Sequence, residues 1–193
     1  MSSTKTELET ERLVLRHFEL GDVDALFRNL ASDPEVVRFM SYSLCETVDA
    51  TGKMIDEWFE YFDKVAPESW ELFVVVLKSS GEVIGTIDFA EVDREARSAE
   101  VGYQFGKAWW GFGYATEALQ ALIVHCFETV GLNRIWADHD PHNIGSGKVM
   151  QKAGMLYEGT FRQCKVRHGE LVSRVYNAIL AEDYFGRCAL HCN

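Results

Sequence analysis

Residues 100–118 read EVGYQFGKAWWGFGYATEA. The stretch opens inside a strand that runs from about residue 99 to Phe105. Gly106, Gly111 and Gly113 then strip side chains from a turn, and a helix begins near Tyr114. That helix is the strongest in the chain. Ala115, Ala118, Leu119, Leu122, Ile123, Cys126, Phe127 and Val130 keep the i, i+3, i+4, i+7 rhythm, and Gly131 stands where a C-terminal cap belongs. The first N–H groups of such a helix have no partner within it and converge on one point, so an anion belongs there. A glycine-eased turn that binds nothing fits the same spacing.

On the N-terminal side, residues 71–77 and 83–90 are rich in β-branched and aromatic side chains, and the polar Lys78-Ser79-Ser80-Gly81-Glu82 between them predicts a hairpin. Farther back, residues 12–16 (RLVLR) alternate as a strand, and 21–31 carry Val23, Leu26, Phe27 and Leu30 at helical spacing behind Asp22. Residues 47–65 put Met54, Ile55, Trp58, Phe59 and Phe62 on one helical face. On the C-terminal side, 134–138 (RIWAD) reads as a strand and 143–153 as a helix closed by Gly154. Two last strands, 156–166 and 170–180, meet at Arg167-His168-Gly169. The order is β-α-α-β-β-β-α-β-α-β-β, in which hairpins give antiparallel pairs and the βαβ unit gives one parallel step. This predicts an α+β fold, a mixed and mostly antiparallel sheet of about seven strands with helices on both faces.

The chain has 193 residues, which predicts a single domain over residues 1–193, and no stretch rich in Pro, Gly or Ser reads as a linker. With 47% hydrophobic and 25% charged residues the composition is that of a globular protein with a core. A net charge of −11 repels phosphate backbones and anionic lipid, so neither nucleic acid nor membrane is expected as a direct partner, whereas a cationic amine is. Five cysteines, Cys45, Cys126, Cys164, Cys188 and Cys192, form no CxxC pair, and the N-terminus has no apolar leader, which predicts a cytoplasmic protein with reduced thiols.

A second informative stretch, residues 143–155, reads NIGSGKVMQKAGM. Asn143 and Ser146 lie three apart at a helix start, where Asn caps and a hydroxyl sits in the positive end of the helix field. A cap with a solvent-facing Ser explains both residues as well. Neither glycine region is a nucleotide-triphosphate loop, since Gly111 leads into Phe112 and Gly147-Lys148 into Val149 rather than Ser or Thr. Gly111-Phe112-Gly113 begins a dinucleotide fingerprint but meets Thr116 at its third glycine.

Together the two stretches resemble motifs A and B of the GCN5-related N-acetyltransferase (GNAT) superfamily, and within it the RimJ/RimL-like branch, from about Thr10 (TERLVLR) to Tyr184. Trp110-Gly111-Phe112-Gly113-Tyr114-Ala115 fills the family's coenzyme A loop, with Trp110 in place of the wider pattern's Gln or Arg. The resemblance implies that acetyl-CoA is the donor substrate. It implies that Gly111, Phe112, Gly113, Tyr114, Ala115 and Thr116 hold the pyrophosphate. Backbone N–H groups at Tyr103, Gln104 and Phe105 would receive the pantetheine and the thioester carbonyl, and Asn143 also belongs to the coenzyme site. The acceptor implied is a protein N-terminal α-amine, with a small amine such as a polyamine or aminoglycoside as the alternative. An acyl-CoA-binding sensor without turnover is the alternative from another class, and a homodimer is open to the fold.

Acetyl transfer from a thioester needs a neutral amine, a site for an oxyanion and a proton for the leaving thiolate. Many family members supply that proton from a Tyr seven residues after the position of Asn143, but Met150 stands there; the resemblance to the RimL-like branch implies Ser146, whose equivalent has this place in that branch, as the candidate. The Glu that some RimL-like enzymes use as base falls on Lys165. Glu100 is therefore the expected base, with Asp88 and His139 in reserve. His139 and His142 flank Asp140-Pro141 and read as solvent-facing loop residues, and no metal is expected. Asp49, Asp56, Glu57, Glu60, Asp63, Glu68 and Glu71 form either the solvated side of an amphipathic helix or a wall that favours a cationic acceptor.

Overall fold

The computed structural model describes residues 6–66 and 69–191, the last five by backbone alone. Among these, eight strands form one sheet: β1 (Glu7–Glu9), β2 (Leu13–His17), β3 (Trp70–Leu77), β4 (Glu82–Asp93), β5 (Ser98–Phe105), β6 (Arg134–His139), β7 (Leu156–Arg167) and β8 (Glu170–Leu180). Their order in space is β1-β2-β3-β4-β5-β6-β8-β7, and β5 with β6 is the parallel pair among antiparallel ones. The expected α+β architecture is present, with eight strands rather than seven. The extra one, β1, is too short to show an alternation and is defined by its pairing, Glu7 opposite Arg16 and Glu9 opposite Val14.

The helices are α1 (Val23–Leu26), which continues as a π turn over Phe27–Ala31, α2 (Pro34–Val37), α3 (Val48–Val65), α4 (Tyr114–His125), which continues as a π turn over Cys126–Val130, α5 (Ile144–Lys152) and α6 (Ala181–His191). Two of these have no counterpart in the sequence reading, the single-turn α2 and the terminal α6. Asp33 caps α2 by accepting from Glu35 N, with Pro34 at its first position. Gly131 closes the long helix in the left-handed conformation, φ 79°, as its place in the sequence predicts.

Strand alternation sends neighbouring residues of β3 into opposite layers. Phe73 and Val75 pack with Leu119 and Leu122 of α4, while Val74 packs with Met54 and Ile55 of α3. Both faces of the sheet are thereby covered. A fully buried leucine such as Leu119 is worth ~2–5 kcal/mol against alanine, so these two layers hold the strands in place.

The feature that positions the site is a gap. β5 pairs with β6 only over Ser98, Ala99 and Glu100, opposite Arg134, Ile135 and Trp136. Beyond that point β5 follows β4 as far as Phe105 opposite Gly85, while β6 follows β8 as far as His139 opposite Val175. The two strands diverge, and the β6-facing backbone edge of residues 101–105 is left open.

Candidate active site

A cleft of about 1150 Å³ runs through this gap, from Gly111, Gly113 and Ser146 on the α4/α5 face of the sheet to Tyr61, Asp88 and Glu100 on the α3 face. On the first face Gly111 and Gly113 take left-handed φ values of 84° and 86°, which a residue with a Cβ adopts only at a cost. A Cβ at Gly111 would meet no protein atom within 4 Å, and one at Gly113 would meet only an Arg12 nitrogen at 3.6 Å. The space before the loop is open. Gly113 is the N-cap of α4 and offers no side-chain cap, and the first bond within the helix is Glu117 N to Gly113 O at 3.0 Å. The N–H groups of Tyr114, Ala115 and Thr116 therefore lack an intrahelical acceptor and suit an anion.

The loop is braced from three sides. Trp110 Nε1 donates to Phe105 O at 2.7 Å, tying the turn to the end of β5, and Arg12 donates to Phe112 O at 3.0 Å. Arg12 also lies 4.5 Å from the centre of the Tyr114 ring. Glu117 accepts from Thr10 Oγ1 at 2.6 Å, from Arg12 N at 2.9 Å and from Arg12 Nε at 2.6 Å. Burial alone would raise the Glu117 carboxyl, but the bonds from Thr10 and Arg12 and the Arg12 charge hold it below the usual range. The TER of residues 10–12 is thus the brace of the glycine loop, a role that sequence reasoning missed because more than a hundred residues of chain separate the partners.

At the start of α5, Asn143 Oδ1 accepts from Ser146 N at 3.2 Å, the expected cap. Ser146 does not face solvent alone: its Oγ is 2.9 Å from the Tyr103 hydroxyl, which also donates to Ser146 O at 3.0 Å. Burial pushes the Tyr103 phenol up, so it stays neutral. With the Tyr103 proton on the Ser146 carbonyl, the Ser146 hydroxyl keeps its own proton to give. Met150 is buried in the core beneath Asn177 Nδ2 at 3.4 Å, so no acid comes from that position.

Gln104 and Tyr103 point to opposite faces of β5. The Gln104 side chain is buried on the α3 side, accepting from the Tyr42 hydroxyl and donating to Thr86 Oγ1 at 3.1 Å. Its backbone groups face β4, where it pairs with Thr86 in the same alternation that gives Gly106 N to Ile84 O at 2.9 Å, so of the three expected backbone positions only Tyr103 and Phe105 lie on the open edge. Phe105 is a core residue, and its carbonyl is taken by Trp110.

The α3 face of the gap is ionic. Asp138 on β6, 2% exposed, accepts from Lys165 of β7 and Arg174 of β8, and Lys165 Nζ lies 3.8 Å from Glu100 Oε1. Burial raises the Glu100 carboxyl and the charge of Asp138 adds to this, against the pull of Lys165 and Arg174. Asp88 stands opposite Gly102, two register positions from the pair of Ala90 with Glu100. A Cβ on Gly102 would lie 3.0 Å from Asp88 Oδ1 and 3.1 Å from Oδ2, so the missing side chain makes the seat for this carboxylate. Burial, with the charge of Glu100, pushes Asp88 up to about 7.

Other expectations sort as follows. His139 is the last residue of β6 and is not a solvent-facing loop residue, since its ring packs where a Cβ of Gly147 would be, 2.9 Å from Nε2. His142 is exposed, with Nδ1 2.9 Å from Asp140 Oδ1. Among the described residues, no three His, Cys, Asp or Glu side chains gather as a metal group. Of the acidic run, Asp49, Asp56, Glu60 and Asp63 are exposed and only Glu57 lines the cleft. Glu71 lies elsewhere, between His17 at 3.6 Å and His125 at 3.1 Å, and Glu68 lies outside the described residues. Cys45, Cys126 and Cys164 are free, and the side chain of Cys188 and all of Cys192 lie outside the described residues.

A gap between parallel strands, with a glycine-opened helix start on one side and carboxylates on the other, offers room and backbone donors for a long anionic ligand beside groups able to move a proton. The acetyltransferase (GNAT) domain matches residues 12–156, and the chain belongs to this family. It is 36% identical over 180 residues to the uncharacterized N-acetyltransferase p20 of Bacillus licheniformis, covering 93% of this chain and 98% of that one. It is 29% identical over 192 residues to the ribosomal protein uS5 alanine N-acetyltransferase of Escherichia coli, covering 93% of each. A GNAT-family acetyltransferase from Bacillus anthracis superposes with a TM-score of 0.80 at 30% identity, over 92% of this chain and 99% of that one. The protein is accordingly an acetyl-CoA-dependent acyltransferase that acts on an amine. No helix among the described residues is long and apolar enough to cross a membrane.

Proposed function

We propose that the enzyme acetylates the α-amine of a protein N-terminus, as RimJ/RimL-like enzymes do, by direct attack of the amine on acetyl-CoA held in the same cleft. The observation that carries this reading is the opposition of polar groups across the gap, with the Ser146 and Tyr103 hydroxyls on one face and Asp88 and Glu100 on the other. Acetyl-CoA supplies an activated acetyl group and a thiolate leaving group. The N–H groups that open α4 and the loop from Gly111 to Thr116 hold its pyrophosphate, and the open edge of β5 at Tyr103 and Phe105 takes the pantetheine arm, the Gln104 backbone being turned to β4. Asn143 keeps the first turn of α5, and with it Ser146, in place. Ser146, backed by Tyr103, gives a hydrogen bond to the departing thiolate. Glu100, with Lys165 at 3.8 Å, receives the acceptor as its ammonium ion. The free thiols at Cys45, Cys126 and Cys164 support a reducing, cytoplasmic setting.

The uS5 alanine N-acetyltransferase, similar over nearly the whole length of both chains, supports the α-amine as acceptor. A small polyamine is the second reading, favoured by Glu57 and Asp88, for which no ion-pair partner is found among the described residues. A thiol-release screen across peptides with N-terminal Ala, Ser and Met, polyamines and aminoglycosides decides between them. Turnover on an Ala or Ser peptide is expected. Turnover on polyamines with none on peptides would overturn the N-terminal reading.

A further inference from the structure

We propose that Asp88, not Glu100, is the group that takes the proton from the acceptor ammonium, and that Gly102 exists to seat it. The argument is geometric. Asp88 and Gly102 are cross-strand partners on β4 and β5, and the absent Cβ of Gly102 leaves a notch within 3.0–3.1 Å of both carboxylate oxygens. The notch opens into the cleft on the face opposite Ser146, directly beyond the point where β5 and β6 part.

The charged and titratable groups around this seat divide the work. Glu100 of β5 has Lys165 of β7 at 3.8 Å, and Lys165 is itself bound to Asp138 of β6, which also holds Arg174 of β8. From α3, Tyr61 and Glu57 line the same cleft, and the Tyr61 phenol is raised first by burial and then by the charge of Glu100, with Asp88 adding to it. Among the described residues no Lys, Arg or His pairs with Asp88. Glu100, with Lys165 beside it, is therefore placed to bind an ammonium, while Asp88 is the carboxylate without a cationic partner among the described residues. Its rise to about 7, caused by burial and then by Glu100, matches a base that works near neutral pH.

The step balances without a further reagent. Asp88 takes one proton from the ammonium, and the freed lone pair forms the N–C bond to the acetyl carbon. The C–S bond breaks, its electron pair leaving on sulfur, and the nitrogen's second departing proton is matched by the one the thiolate gains. Asp88 then returns its proton to solvent. The net change is ammonium plus thioester to amide, thiol and one proton.

The inference rests on the proposed transfer to an amine but not on which amine. The assay therefore uses whichever member of the screening panel turns over fastest, and a polyamine as that member would overturn only the N-terminal reading. Asp88→Asn should lower kcat by about 100-fold near pH 6.5, within the range of a positioned base. The loss should shrink to under about tenfold near pH 9.5, because an α-amine of pKa ~8 is then neutral without help. Glu100→Gln should instead raise the acceptor KM with kcat nearly kept. Gly102→Ala, which keeps the Asp88 carboxylate but pushes it from its seat, should lower kcat severalfold and rescue none of it by added acceptor. Acetyl-CoA affinity by calorimetry should be that of the parent in all three, which shows that each is folded. An Asp88→Asn enzyme with more than about a third of parental kcat near pH 6.5, or one equally impaired at both pH values, would overturn the assignment. No turnover of any amine by the parent would overturn both this inference and the function it rests on.

Discussion

The two faces of the β5/β6 gap are built by different means. The proposed coenzyme face consists of backbone donors, two left-handed glycines and a pair of neutral hydroxyls, braced by Trp110, Arg12 and Glu117. The proposed acceptor face consists of side-chain charges drawn from β4, β5, β6, β7 and β8. Backbone N–H groups do not titrate and can be placed by one turn of chain, so the first face is suited to a ligand that every turnover shares. Carboxylates and ammonium groups respond to pH and to a single substitution, so the second face is where the proposed proton transfer and choice of acceptor would reside.

The sharpest way to break this comparison is Ser146→Ala. If the hydroxyl serves the departing thiolate, kcat should fall by ~10–100-fold, the usual worth of one positioned proton donor. The fall should be the same at every pH, since neither Ser146 nor its raised Tyr103 partner changes charge in the working range. Steady-state kinetics over the pH range, with acetyl-CoA binding measured alongside, checks it. A fully active variant would leave Ser146 as a helix-start residue and make the coenzyme face a holder only.

Next in size is Gly113→Asp, which places a carboxylate and a Cβ at the mouth of the helix start and forces an aspartate into φ 86°. Repulsion from the pyrophosphate should weaken acetyl-CoA binding by about tenfold or more. Calorimetry reads this directly, and an unchanged affinity would remove the loop from the coenzyme site.

The same division explains what could be read from the sequence. The coenzyme face lies in two unbroken stretches, 100–118 and 143–155, where glycine spacing, a helix start and an Asn cap are local signals. The acceptor face has no local signal. That Asp88 meets Gly102 depends on the β4/β5 register, which shifts between Glu91 and Asp93, and one residue of slip would send Asp88 to the other face. Lys165 looks in sequence like a mismatch to the position of a base. In the fold its ammonium clamps Asp138 and faces Glu100, a role set by β7 and β8 folding back onto β6. Likewise the acidic run of α3 is conspicuous as text, yet helical periodicity turns most of it to solvent and leaves Glu57 alone at the cleft.

The smallest expected effect is also the most direct comparison of the two faces. Between about pH 7 and pH 9 the affinity for acetyl-CoA should change by less than about twofold, because the donors at the head of α4 are amides that keep their protons throughout. Glu117, which braces them, is held below the ordinary carboxylate range by Thr10 and Arg12 and remains ionised. Tyr103 is held above the ordinary phenol range by burial and remains neutral. Over the same interval kcat/KM for the amine should climb, first as Asp88, raised to about 7, loses its proton and then as the amine passes ~8. Calorimetric titrations and initial rates in the same buffers give the two curves. If affinity and rate rose together, titratable groups would be holding the coenzyme, and the separation of an inert donor face from a titrating acceptor face would not describe this enzyme.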